Sequence, residues 1–278
     1  MSASSSPRLR YITRRLLWRA GFELRRVAPA VPSGAVDFYQ TSPTCQIPTL
    51  PFLLEFYFGR RTTGTFVEVG AFDGYSYSNT SCLAEVGWQG MYLEPVPAAA
   101  ELCRSRYSLN PNITVHELAI GALEGSLTIR VGGALSTSDA KTYDEFQNIE
   151  WAKSAFSQPE TVTVKQTTLD LFLQSHGVKP NFELLVVDVE GFETEVFAGF
   201  SLDRWLPKMM IVELTDTHPD LVASRNDHAK LSDDICRMGY VITYKDVINT
   251  VFVARGHWLA TFGGLEGVAS GTKNPQAQ

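Results

Sequence analysis

The sequence predicts an α/β fold in which a mainly parallel sheet has an antiparallel end and carries helices on both faces. Short strand-like apolar runs alternate with helix-like runs from residue 50 to residue 254. Residues 184–187 are apolar throughout, as a strand buried on both faces requires. The last two strand-like runs are too close together for a helical crossover, so we expect them to pair antiparallel.

The individual elements follow in chain order from the same patterns. Helices are predicted at residues 52–58, 75–86, 97–107, 168–176, 193–200 and 229–238. Strands are predicted at residues 65–69, 91–93, 113–116, 127–131, 161–166, 184–187, 209–214, 240–244 and 250–254. Residues 134–160 show no clear periodicity, and no element is predicted there.

The chain of 278 residues is long enough for one large α/β domain. A segment rich in proline and small polar residues precedes residue 50, and Gly, Ala and polar residues dominate the C-terminus. We therefore predict a basic arm and linker at 1–49, a catalytic-type domain at 50–258 and a flexible tail at 259–278.

Charge is distributed unevenly along the chain. The first 30 residues contain seven arginines and one acidic residue, so the rest of the chain carries a net charge of −12 against −6 for the whole. An acidic body does not predict a nucleic-acid partner. Residues 7–27 are compatible with a peripheral membrane anchor, an organelle transit peptide or a helix packed on the domain with solvated arginines.

Localisation is predicted from cysteine usage and hydropathy. The four cysteines are isolated in sequence, which fits a reducing compartment better than a disulfide framework. No apolar run approaches the ~18 residues of a membrane span, and arginines interrupt the N-terminal apolar runs. We expect a cytoplasmic protein, with peripheral membrane contact through residues 7–27 as the alternative that the arm leaves open.

The most informative motif surrounds the end of the first predicted strand. Glu68 lies in the strand, Gly70 and Gly74 flank the turn that follows, and Asp73 lies within it. Ligands of open α/β sheets bind outside the carboxyl ends of the strands. Acidic side chains there disfavour phosphate and suit a cation such as a sulfonium that carries an amino group. The alternative is an ordinary tight βα turn with its acids facing water.

Acidic residues also follow two other predicted strands. Glu94 comes after the second strand, where a carboxylate can accept both hydroxyls of a ribose, whether of an adenosyl ligand or of NAD. The turn has the spacing G-x-x-x-G rather than the dinucleotide pattern G-x-G-x-x-G. Asp188, Glu190 and Glu193 follow the strand at 184–187, although the helix dipole alone could favour the two glutamates.

Candidates for acceptor chemistry lie after the strand at 209–214. Glu213 ends this strand, and His218 lies in a polar loop where it could act as a general base or merely be solvated. Hard cations take carboxylate ligands, so Asp188, Glu190 and Glu213 could bind a metal. The sequence does not require one, and no metal is predicted.

Four motifs in order resemble those of the FkbM family of methyltransferases. They are the turn from Glu68 to Gly74, the run Gly-Trp-Gln-Gly…Glu-Pro at 87–95, Thr-Leu-Asp at 168–170 and Asp-Val-Glu-Gly-Phe-Glu at 188–193. The similarity extends from about residue 66 to residue 253. It implies a class I, Rossmann-like methyltransferase fold, S-adenosylmethionine as methyl donor, and usually O-methylation of a hydroxyl on a sugar or small metabolite.

The resemblance also assigns roles to individual residues. The donor-binding set it implies is Glu68, Gly70, Ala71, Asp73, Gly74, Asn79, Glu94, Ala119 and Asp188. Within this set the turn holds the methionine part, with Asn79 bracing it, while Glu94 binds the ribose and Ala119 lies against the adenine. Candidate catalytic residues are Asp188, Glu190, Glu213 and His218.

The expected partner is a small-molecule or glycan acceptor, and no oligomeric state is predicted. A non-catalytic scaffold that retains the fold and a nicotinamide-dependent oxidoreductase are the alternatives.

Overall fold

A computed structural model describes residues 38–261 of the chain. The strands are β1 (Thr65–Val69), β2 (Gln89–Leu93), β3 (Ile113–His116), β4 (Ala119–Ile120), β5 (Gly125–Arg130), β6 (Thr161–Thr167), β7 (Leu184–Val187), β8 (Met209–Glu213), β9 (Tyr240–Lys245) and β10 (Asn249–Ala254). The helices are α1 (Leu50–Phe58), α2 (Ser81–Val86), α3 (Pro97–Arg106), α4 (Ala140–Asn148), α5 (Leu169–Ser175), α6 (Glu193–Ala198), α7 (Leu202–Trp205) and α8 (Arg225–Arg237).

The main sheet has seven strands in the order β3-β2-β1-β7-β8-β10-β9. All neighbouring pairs are parallel except those of β10, which runs antiparallel to both β8 and β9. The predicted α/β class with its antiparallel end is confirmed. The order reverses between β1 and β7, and this switch point is where open α/β sheets bind their ligands.

The central strands are buried on both faces because successive side chains point to opposite sides of the sheet. Phe66 and Val186 belong to one hydrophobic cluster, whereas Val67 and Val187 belong to a cluster on the other face. The burial of both faces explains why these strands are apolar runs rather than alternating ones.

Two predicted strands lie outside the main sheet. β5 and β6 pair antiparallel, and β4 pairs with β6, which forms a separate three-stranded sheet. Between β5 and β6, residues 134–160 fold into α4 and two short 3-10 turns at Gly133–Leu135 and Lys153–Phe156. This segment packs around Phe146 and Phe156 in a small separate core, to which the loop after β8 contributes Leu221.

The predicted helix at 75–86 is wrong in its first half, since only α2 is helical. Residues 70–80 form a loop in which Phe72, Gly74 and Tyr77 have positive φ angles of 49°, 73° and 63°. A regular right-handed helix excludes such angles. The loop therefore starts directly at the end of β1.

The packed part of the chain begins before residue 50, and a helical segment continues past residue 258. Tyr39 and Ile47 are fully buried in the cluster that contains Phe66, and residues 255–261 are helical. Most of the basic arm, including residues 7–27, and residues 262–278 of the tail lie outside the described residues. Within residues 38–261, no helix is long and apolar enough to cross a membrane.

Candidate active site

The exits of β1 and β7 meet at the switch point with no room for a side chain between them. The Asp188 N–H donates to the carbonyl oxygen of Val69 over 3.0 Å. A Cβ atom on Gly70 would lie 1.7 Å from the Asp188 carbonyl oxygen, and Gly70 has a φ of 88°. Any side chain at position 70 would force the two strand exits apart.

The carboxylate of Asp73 orders the loop that follows Gly70. It accepts the Tyr75 N–H at 2.8 Å, the Ser76 N–H at 2.6 Å and the Ser76 hydroxyl at 2.7 Å. These bonds form a local side-chain turn and support the positive φ angles of the loop. In this structure the Asp73 carboxylate therefore stabilises the conformation of the loop. Its contact with a methyl donor stays a prediction.

Glu68 lies beneath this loop in a hydrogen-bonded network. The Thr80 hydroxyl donates to Glu68 and lies 3.0 Å from the Tyr92 hydroxyl. Tyr92 donates to Tyr107, which donates in turn to the carbonyl oxygen of Gly74 at 2.7 Å. Burial raises the pKa of Glu68 to about 8. The network connects the acid in β1 to the loop above it.

Glu94 connects the end of β2 to the same loop. One carboxylate oxygen accepts the Phe72 N–H and the other the Val96 N–H, both at 2.8 Å. Each oxygen keeps a further lone pair, so the carboxylate can still accept two hydroxyl groups. Burial raises the pKa of Glu94 to about 7.

Three other predicted donor-site residues are buried. Ala71 lies in the cluster around Phe66, and Ala119 in β4 packs in a separate cluster that includes Val96. The Asn79 side-chain oxygen accepts from the Cys45 thiol at 3.6 Å, and its bracing of the turn stays a prediction. Contact of any of the three with a donor stays a prediction.

Three acids that the sequence separates come together beyond β7 and β8. Val187 pairs with Val212, so Asp188 and Glu213 leave neighbouring strands side by side. One carboxylate oxygen from each of Asp188, Glu190 and Glu213 lies within 4.8 Å of the others. Burial raises the pKa of Asp188 to about 6, and burial with mutual repulsion raises the pKa of both glutamates well above the usual range. We call these three residues the acid cluster.

Helix α4 and its flanks cover the acid cluster. Glu190 has a positive φ of 53°, and its carbonyl oxygen accepts from the Thr137 hydroxyl at 2.7 Å. A Cβ on Gly191 would strike the Thr142 hydroxyl at 2.1 Å. Glu145 accepts the N–H groups of Val222 and Ala223 at 2.6 and 3.0 Å, which connects α4 to the loop after β8.

A small cavity opens between α4 and the strand exits. It is lined by Thr142, Glu145, Phe146, Glu190, Gly191, Glu213, Thr215, Leu221 and Ser224. The space available to the centre of a water-sized molecule is about 10 Å3, which suffices for roughly one water molecule or ion.

Glu193 points inward and meets a histidine that the sequence analysis missed. Its Oε1 accepts the Val189 N–H at 3.0 Å and the Gly191 N–H at 3.3 Å. Its Oε2 lies 2.9 Å from His228 Nε2. The angle between the two groups does not meet that of a hydrogen bond, so the contact is a buried electrostatic one. His228 Nδ1 accepts the Thr215 N–H at 3.0 Å. The Glu193–His228 pair thus joins the loops that follow β7 and β8.

His218 is not part of the acid cluster. Its Nδ1 accepts the N–H groups of Asp220 and Leu221 at 3.0 and 2.9 Å, and its carbonyl oxygen accepts from Arg225 at 2.7 Å. Burial lowers the pKa of His218. The histidine orders its own loop, and its role as a base stays a prediction.

The Thr-Leu-Asp motif proves to be structural. Thr168 caps α5 by accepting the Leu171 N–H at 3.2 Å. Asp170 accepts the Ser201 N–H and the Trp205 ring N–H, both at 2.8 Å, so it holds α5 against the start of α7.

The sheet order and the acidic strand exits define a Rossmann-like, class I methyltransferase fold. Residues 68–242 match the description "Methyltransferase FkbM domain". The chain therefore belongs to the FkbM methyltransferase family, and the predicted resemblance is confirmed. The protein is a methyltransferase by family, and S-adenosylmethionine is its methyl donor.

Comparison with solved structures gives distant similarities. An O-methyltransferase from Bacillus cereus in complex with SAH has 14% identity, 90% coverage of both chains and a TM-score of 0.41. The O-methyltransferase TomG from Streptomyces achromogenes with SAM has 14% identity, 91% and 92% coverage and a TM-score of 0.39. Precorrin-6y C5,15-methyltransferase from Geobacter metallireducens GS-15 has 11% identity, 78% and 94% coverage and a TM-score of 0.39. No curated protein matches the chain.

Proposed function

We propose that the protein transfers the methyl group of S-adenosylmethionine to a hydroxyl oxygen of a sugar, glycan or small metabolite. The observation that carries this proposal is the acid cluster at the exits of β7 and β8, directly beside the Gly70 turn. Carboxylates at this position suit an acceptor that donates hydrogen bonds and loses a proton during the reaction.

The residues around Gly70 fit the donor. Glu94 keeps lone pairs for the two ribose hydroxyls at the end of β2. Asp188, which stays largely ionised near neutral pH, favours a ligand with a cationic sulfonium and an amino group. We therefore place the methionine part at the 70–76 loop and the ribose at Glu94.

The bound donor supplies an activated methyl group, which the acceptor oxygen takes as the carbon–sulfur bond breaks and the hydroxyl proton leaves. Asp188 is the candidate base because its pKa of about 6 leaves it largely ionised near neutral pH, whereas the raised pKa values of Glu190 and Glu213 favour their protonated forms. Alignment of the acceptor oxygen with the methyl carbon contributes at least as much to the rate.

Labelled methyl transfer tests this function directly. The protein is incubated with methyl-labelled S-adenosylmethionine and pools of glycans and hydroxylated metabolites, and the product is identified by mass spectrometry. We expect a product that carries an O-methyl ether. A labelled product methylated only on nitrogen, carbon or sulfur would contradict the acceptor class.

The Asp188→Asn variant tests the role of the acid cluster. We expect it to lose most turnover while it retains S-adenosylhomocysteine binding and a similar melting temperature. Glu195→Gln is the matched control because Glu195 is exposed on α6. Full activity in Asp188→Asn would remove Asp188 from the mechanism.

Calorimetry with S-adenosylhomocysteine separates this proposal from a non-catalytic scaffold and from a nicotinamide-dependent enzyme. An absence of binding at high micromolar ligand would favour the scaffold. Binding of NAD with no binding of S-adenosylhomocysteine would favour an oxidoreductase.

A further inference from the structure

We propose that Asp188, Glu190 and Glu213 together bind one hard divalent cation of the Mg2+, Mn2+ or Ca2+ class. The residues come from two strand exits and a tight loop, so the site exists only in the folded chain. Metal binding itself goes beyond the proposed function and does not depend on it.

The spacing of the carboxylates matches a shared ion. One oxygen from each residue lies within 4.8 Å of the other two. Oxygen ligands lie about 2.0–2.1 Å from Mg2+ and about 2.3–2.6 Å from Ca2+, so ligands on opposite sides of one ion are roughly 4–5 Å apart. All three ligands are carboxylate oxygens, which favours hard cations over zinc or copper.

A buried atom without a partner provides the second observation. Glu213 is 7% exposed, and its Oε2 is buried with no hydrogen-bond partner among the described residues. Glu190 and Glu213 both line the cavity that has room for about one water molecule or ion. An unpaired carboxylate oxygen is costly to bury, and a cation held by Glu213 beside this cavity would give it a partner.

Nearby positive charge is committed to other acids. Lys245 lies 2.6 Å from Asp216. Within residues 38–261, no ion pair with a lysine, arginine or histidine involves any member of the acid cluster. Three acidic groups this close cannot all be ionised without a counter-charge, and a divalent cation is the counter-charge that fits the space.

One consequence for catalysis rests on the proposed function. A cation at this point would lie at the strand exits next to the Gly70 turn, where it could hold the acceptor oxygen and lower the pKa of its hydroxyl, in place of Asp188 acting as a base. Removal of the metal should then reduce methyl transfer.

Binding of Mn2+ to the metal-stripped full chain tests the site. Titration followed by electron paramagnetic resonance should show one Mn2+ per chain, with competition by Mg2+ or Ca2+. Affinity should fall more than about tenfold in Glu213→Gln and in Asp188→Asn, since each replaces a charged carboxylate ligand by a neutral amide. The exposed control Glu195→Gln should bind as the wild type does.

Melting temperatures of the wild type and Glu213→Gln, measured with Mn2+ and with chelator, distinguish loss of the metal site from loss of folding. Mn2+ should raise the melting temperature of the wild type, because it binds the folded state, and should leave that of Glu213→Gln unchanged. In chelator, Glu213→Gln should be at least as stable as the wild type, because the substitution removes one buried acidic group from the acid cluster.

Two results would overturn the proposal. One is a wild-type protein that neither binds nor is stabilised by millimolar Mn2+, Mg2+ or Ca2+. The other is equal binding in the wild type and both cluster variants, which would place the ion elsewhere on this acidic surface. S-adenosylhomocysteine binding and methyl transfer are measured separately, so failure of the proposed function would leave the metal result standing, and the reverse also holds.

Discussion

Replacing His228 with alanine should loosen the connection between the loops after β7 and β8. The histidine is fully buried, and Glu193 has no exposed surface at all. One ring nitrogen lies 2.9 Å from the Glu193 carboxylate, and the other accepts the Thr215 N–H at 3.0 Å. His228→Ala removes both contacts at once.

The expected loss of stability is about 3 kcal/mol. Removing one partner of a buried pair costs about 3–5 kcal/mol, because the remaining group keeps its desolvation penalty. Glu193 retains two backbone donors, Val189 at 3.0 Å and Gly191 at 3.3 Å, so we expect the lower end of that range. For a domain of this size, 3 kcal/mol corresponds to a fall in melting temperature of about 6–12 °C.

Urea denaturation followed by circular dichroism measures the free energy of unfolding. Asn226→Ala is the matched control, because Asn226 is exposed on the same helix. A double-mutant cycle with Glu193→Gln isolates the pair, and a coupling energy of about 1 kcal/mol or more is expected. We also expect a lower kcat with little change in S-adenosylhomocysteine affinity, since the pair orders the loop that carries Asp188. A coupling energy near zero would refute the reasoning.

Three further predictions concern donor binding, pH and the basic arm. Glu94→Ala should weaken S-adenosylhomocysteine binding about tenfold or more, since charge-assisted hydrogen bonds contribute about 1.5–3 kcal/mol each. Because the pKa of Glu94 is about 7, the affinity of the wild type measured by calorimetry should rise as the pH rises through 7, and Glu94→Gln should flatten this dependence. Glu68 has a pKa of about 8 in the folded state, so its protonation favours the fold at low pH. The free energy of unfolding should therefore fall as the pH rises from about 4.5 to 8. An unchanged slope of unfolding free energy against pH in Glu68→Gln would contradict this. If residues 7–27 bind anionic lipid, the full chain should sediment with anionic liposomes at low salt while a chain starting near residue 31 stays in solution; two soluble chains would exclude an anchor.

Most elements of the main sheet could be predicted from local pattern. The bounds of β7 agree with the prediction at both ends, since a short apolar run bounded by polar residues leaves little choice, and those of the alternating strand β3 agree as well. Helix α4 could not be predicted, because only Thr142 and Phe146 of its nine residues are buried and the rest of its sequence is polar. Its position comes from contacts with loops that are distant in the chain.

The candidate site was predictable only in part. Acids at strand ends indicated the correct edge of the sheet, and the register of β7 and β8 brings Asp188 and Glu213 together there. The choice between the two histidines was not predictable. His218 lies in a polar loop and resembles a base, but it orders that loop, whereas His228 on α8 reaches the β7 exit.

The sequence by itself determined the α/β class, the family and the acids at the strand exits. Strand periodicity and turn residues are local features of the chain, so they can be recognised without knowing how the elements pack together. Only the tertiary structure decided the insertion of β10 between β8 and β9, the α4 cover and the acid cluster. These features depend on which distant segments pack together. The burial that leaves Glu213 without a partner and pairs Glu193 with His228 arises only when α4, α8 and the exits of β7 and β8 enclose the same small volume.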